Sequence, residues 1–124
     1  EMNATQLASA KLLCENALEK IRAYYNSPIN VSSGFRSYLL NSKIGGSGVS
    51  QHCKGEACDF TVVGKSVTEV FDDIRQGKIP ELEFDQCIWE YGSWIHLSYK
   101  EKSNRKEALK TYIKNKVAVY EEVK

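Results

Sequence analysis

The stretch Ser50-Gln51-His52-Cys53-Lys54-Gly55-Glu56-Ala57-Cys58-Asp59 constrains this chain more than any other. It reads S-x-H-x-x-G-x-A-x-D. The protein has 2 histidines, and the other is His96, in Trp94-Ile95-His96-Leu97-Ser98. Two imidazoles and one carboxylate make a three-ligand set for zinc, with a fourth position left for water. A fold that uses them must bring His52, Asp59 and His96 together from separate elements. Such a pattern points to metal-assisted hydrolysis with one zinc ion.

The length of 124 residues fits one domain, expected to span 1–124, with one modest core. The formal net charge is +1, so charge gives no reason to expect nucleic acid or an anionic membrane as partner. No apolar run approaches the length of a membrane-spanning helix, and no basic-then-apolar leader stands at the start. The 4 cysteines are Cys14, Cys53, Cys58 and Cys87. They form no C-x-x-C pair and no dense framework, so reduced thiols in a reducing compartment are expected. Cys53 and Cys58 overlap the metal motif, which leaves thiolate ligation as an alternative.

Local patterns place the motifs on an α+β scaffold. Leu7, Ala10, Leu13, Cys14, Ala17, Leu18, Ile21 and Tyr25 recur at helical spacing, which predicts a helix over Thr5 to Tyr25. Pro28 follows its end, and Ile29 to Ser32 alternates like a short strand. A turn at Ser33-Gly34 and a short helix toward Asn41 come next. The loop Ile44-Gly45-Gly46-Ser47-Gly48 lacks the Lys-Ser/Thr ending of a phosphate-binding loop. Ala57 to Val63 reads as a strand with Ala57, Asp59, Thr61 and Val63 on one face. Ser66 caps a helix from Val67 to about Gln76, with Glu69 at the capping-box position, and Gly77 ends it. Phe84 to Glu90 and Trp94 to Tyr99 are β-prone runs joined by Tyr91-Gly92-Ser93, which predicts a hairpin. In the second run Trp94, His96 and Ser98 face away from Ile95 and Leu97. Ser103 is expected to cap a short helix from Asn104 to about Tyr112. A turn at Lys114-Asn115-Lys116 and a final strand at Val117, Val119 and Tyr120 follow, with continuation of the helix as the alternative.

A single histidine on a strand is more often a hydrogen-bonded structural residue than a ligand. Three ligand types converging on one cleft change that balance. The pattern resembles the D-alanyl-D-alanine carboxypeptidase and dipeptidase group of zinc peptidases, related to lysostaphin-type peptidases and the hedgehog signalling domain. The matching residues are Ser32-Ser33-Gly34-Phe35-Arg36-Ser37, Asn41, Gly45-Gly46, the motif from Ser50 to Asp59, and Glu90-x-x-x-Trp94-x-His96. They span roughly residues 5 to 110. The resemblance implies His52, Asp59 and His96 as zinc ligands, and an antiparallel sheet that carries the metal on one face and is flanked by helices. Zinc lowers the pKa of bound water to about 7, which suits hydrolysis at neutral pH.

A zinc peptidase also needs a base and an anion-stabilising group. Glu90 is the candidate base. Many members of the group place the base at the position of Ser93, whereas the hedgehog domain shares a glutamate at the position of Glu90. Glu56 is a second candidate, and a solvated hairpin carboxylate is the plain alternative for Glu90. Arg36 is the candidate clamp for a terminal carboxylate or an oxyanion, with an ordinary surface ion pair as the alternative. Ser50 and Gln51 are expected to contact substrate or orient His52. Trp94 either walls the cleft or simply packs. The resemblance implies action on peptidoglycan stem or cross-link peptides, and a monomer is expected. With no leader in view, synthesis in the cytoplasm and action on the cell wall are expected, in a bacterium or as a phage endolysin. A zinc-stabilised recognition module without turnover is the alternative of a different class.

Overall fold

A computed structural model describes residues 4–33 and 57–123. Arg36, Ser50, Gln51, His52, Cys53 and Glu56 lie outside the described residues, as do the turn and short helix expected after Ser33 and the glycine-rich loop.

One helical rod opens the chain. It consists of α1 (Ala4–Leu13), a π-helical turn (Cys14–Leu18) and α2 (Glu19–Tyr25). The Asn16 side-chain amide donates to the Leu12 carbonyl at 3.0 Å within this turn. The wider turn shifts the helical phase. Leu13, Ala17, Leu18 and Ile21 therefore reach the core, while Leu7 and Cys14 of the expected apolar face are exposed. Asn26 ends the rod in the left-handed conformation, φ 52°.

The strands are β1 (Ile29–Ser33), β2 (Ala57–Val62), β3 (Gln86–Glu90), β4 (Trp94–Ser98), β5 (Glu107–Lys114) and β6 (Val117–Glu122). Between β2 and β3 runs α3 (Val67–Arg75), capped as expected by Ser66, whose Oγ accepts from the Glu69 amide at 3.0 Å. The six strands form one sheet in the order β1-β2-β4-β3-β5-β6.

Two expectations need correction. The sheet is mixed rather than antiparallel, because β3 and β5 pair in parallel; the β1-β2-β4-β3 part is antiparallel throughout. Residues 107–114 form a strand, not a helix. Glu107-Ala108-Leu109-Lys110 are good helix formers, but tertiary contacts override them. The buried Asp85 carboxylate accepts from the Arg105 amide at 3.1 Å and from its guanidinium at 2.9 and 2.8 Å. The Glu107 amide donates to the Asp85 carbonyl at 3.0 Å. Ser103 and Lys106 take φ of 63° and 54°, which an α-helix does not accommodate. The Asp85 anchor thus delivers β5 alongside β3. The turn to β6 has Asn115 and Lys116 at φ 53° and 64°, the conformation of a two-residue hairpin loop.

Alternation divides the sheet into two faces. Cys58, Phe60, Val62, Cys87, Ile95 and Leu97 join Val70, Phe71 and Ile74 of α3 and the buried residues of the helical rod in one core. The helices therefore cover one face, and Asp59, Glu90 and His96 project from the other.

Candidate metal centre

Strand register assembles this site. β2 and β4 pair with Asp59 directly opposite His96. Directly opposed residues of an antiparallel pair share a face. Their side chains meet, with His96 Nδ1 3.0 Å from Asp59 Oδ1. Each side chain is about seven-eighths buried, with exposures of 14% and 15%. The neighbours Phe60 and Ile95 are fixed in the core on the opposite face, so neither ligand candidate can leave this face of the sheet without expelling a core residue.

Glu90 comes from the end of β3, across from Trp94 in the β3–β4 hairpin. Asp59, Glu90 and His96 each offer a ligand atom, and these atoms all lie within 4.8 Å of one another. That donor set fits zinc. Two ligands held at about 2.0 Å from a tetrahedral ion stand roughly 3.3 Å apart, close to the His96–Asp59 separation. Without a cation, a proton on His96 Nδ1 makes the same contact a hydrogen bond. The structure thus brings together two of the three predicted ligands and the predicted base. The third ligand candidate, His52, and Arg36, Ser50 and Gln51 fall outside the described residues.

Cys58 does not join the cluster. Its side chain lies on the core face at 2% exposure, and burial pushes its thiol up to about 12, with Asp59 and Cys14 adding to the shift. A thiol held protonated on the wrong face of β2 is a poor metal ligand. Cys87 is raised by burial in the same way.

The family model described as Peptidase M15 matches residues 2–98. The chain belongs to the peptidase M15 family. This is the zinc D-alanyl-D-alanine carboxypeptidase type that the motif resembles, and membership implies a hydrolase acting on a peptide. No curated protein matches the sequence. The family match ends at Ser98, short of the span the motifs suggested, so β5 and β6 lie beyond it.

Those two strands nevertheless border the site. The final strand expected at Val117, Val119 and Tyr120 is β6, but with β5 read as a helix neither strand could be placed beside Glu90. Glu90 pairs with Thr111 of β5, and Thr111 pairs with Tyr120 of β6. The row Trp94-Glu90-Thr111-Tyr120 therefore crosses four strands on the metal-bearing face. Tyr91 stacks edge-on against Trp94 at 5.9 Å between ring centres. Burial raises the Tyr120 hydroxyl, with Glu90 and Tyr91 adding to the shift and Thr111 opposing it. Thr111 is thus near enough to influence Tyr120, but its hydroxyl lies outside hydrogen-bonding geometry. The available signal was the turn at Lys114-Asn115-Lys116, which suits a hairpin and argues for a strand before it as well as after it. Among the described residues no helix is long and apolar enough to cross a membrane.

Proposed function

We propose that this protein is a zinc-dependent metallopeptidase that hydrolyses peptidoglycan stem or cross-link peptides, working as a single domain over 1–124. The observation that carries the reading is the Asp59–Glu90–His96 cluster on one sheet face, in a chain of the peptidase M15 family. Asp59 and His96 would hold the metal together with His52. Zinc supplies a lowered water pKa and polarises the scissile carbonyl.

The chain's own groups do the rest. A Glu90 carboxylate oxygen accepts a proton from the attacking water. The water oxygen bonds to the carbonyl carbon, the C–N bond breaks, and the same proton passes from Glu90 to the departing amine nitrogen. Arg36 anchors a substrate carboxylate or the developing oxyanion with its fixed fork of donors. The Trp94 and Tyr91 rings wall the cleft beside Glu90. Ser50 and Gln51 contact substrate or orient His52.

Purified muropeptides incubated with zinc-loaded protein test this reading. Release of a D-amino acid or a shortened stem peptide, detected by mass spectrometry, is the expected result. Intact muropeptides with stoichiometric zinc on the protein would instead identify a recognition module.

A further inference from the structure

Two buried side-chain polar atoms have no hydrogen-bond partner among the described residues: Trp94 Nε1 and Thr111 Oγ1. They are not scattered. Trp94 stands opposite Glu90 across β3–β4, and Thr111 stands opposite it across β3–β5. Glu90 is therefore flanked on both sides by a polar group without a hydrogen-bond partner among the described residues. The case of Thr111 is the sharper, because the residue is 0% exposed. Burying a hydroxyl without a partner costs stability, and a valine of nearly the same shape would avoid that cost. Among the described residues no group meets this oxygen in hydrogen-bonding geometry; Tyr120 is its near neighbour on β6, and the Glu90 carboxylate stands on its other side.

We propose that Thr111 is a positioning residue for Glu90, its hydroxyl hydrogen-bonding the carboxylate when that side chain turns toward substrate. The inference rests on the reading of Glu90 as the base. Paired residues on adjacent strands stand about 4.8 Å apart in the hydrogen-bonding direction, so a change of Glu90 rotamer brings the groups together. With one carboxylate oxygen held by Thr111, the other is left to take the water proton. The chemistry of the group also fits the cycle. A hydroxyl donates to the charged carboxylate and accepts from the protonated one, so a single residue serves Glu90 before and after proton transfer. The Trp94 N–H only donates, and its ring is packed against Tyr91. Thr111 lies beyond the family match, and it reaches Glu90 because the Asp85–Arg105 anchor seats β5 in parallel on β3.

Thr111→Val, Thr111→Ser and Glu90→Gln in the zinc-loaded full chain, assayed on purified muropeptides, test the proposal. Thr111→Val is expected to lower kcat about tenfold with KM and zinc affinity unchanged, while its thermal midpoint stays level or rises. Thr111→Ser keeps the hydroxyl and restores most of kcat. A Thr111→Val enzyme with unchanged kcat overturns the proposal, as does one that unfolds or melts lower, since the hydroxyl would then be structural. Failure of Thr111→Ser to rescue overturns it as well. Glu90→Gln separates the two claims. If it is inactive while Thr111→Val is unaffected, this inference alone falls; if it retains turnover, the base assignment falls and takes the inference with it.

Discussion

Asp59 Oδ1 and His96 Nδ1 meet at 3.0 Å because β2 and β4 place the two residues directly opposite each other in an antiparallel ladder. The contact is a consequence of register. A slip by one residue would send Asp59 into the core and Phe60 onto the open face. Phe60 at 0% and Ile95 at 1% exposure hold that register. The core on one side of the sheet thus fixes the ligand spacing on the other.

From this geometry, Asp59→Asn and His96→Ala are each expected to weaken zinc binding more than about 100-fold, beyond the 10–100-fold typical of groups one layer further out. Competition with a chromophoric chelator measures this. The Cys58→Ser protein should retain full zinc stoichiometry, because its thiol faces the core.

Acid should act on the Asp85 anchor. The Arg105 guanidinium and amide hold the Asp85 carboxyl at about 2, below its ordinary 3.8. A depressed carboxyl contributes stability that is complete above the unfolded value and lost as pH falls through the folded one. Arg105→Ala should therefore cost about 2 kcal/mol near neutrality. That gap should close as pH falls from about 4 to about 2, as read from denaturant unfolding of both proteins across that range.

The β3–β4 hairpin should resist change at Gly92. Its φ is +70°, and a β-carbon there would stand 3.1 Å from the Trp89 ring. Gly92→Ala should cost about 1–2 kcal/mol and disturb the turn that sets Glu90 against Trp94. Thermal unfolding gives the first effect, and turnover on muropeptides gives the second.

What the sequence made legible follows from local chemistry. Ser66 with Glu69 announces a helix start, and Ser66 Oγ does cap it. Alternation in the runs around Asp59 and His96 put both on one face, and the register bears this out. Non-local effects stayed hidden. The phase shift at Cys14–Leu18 turns Leu7 outward although the apolar spacing is regular. The Glu107–Lys110 segment is helical by composition and a strand by virtue of Asp85, a residue far away in sequence. Since β5 was read as helix, neither Thr111 nor Tyr120 could be placed beside Glu90.

Hydrolysis of muropeptides by zinc-loaded Glu90→Gln, followed by mass spectrometry beside the unaltered protein, tests the central claim most directly. The expected outcome is full zinc occupancy in both proteins with turnover reduced at least about 100-fold in the variant. Turnover by the variant equal to that of the unaltered protein would contradict the assignment of Glu90 as the base.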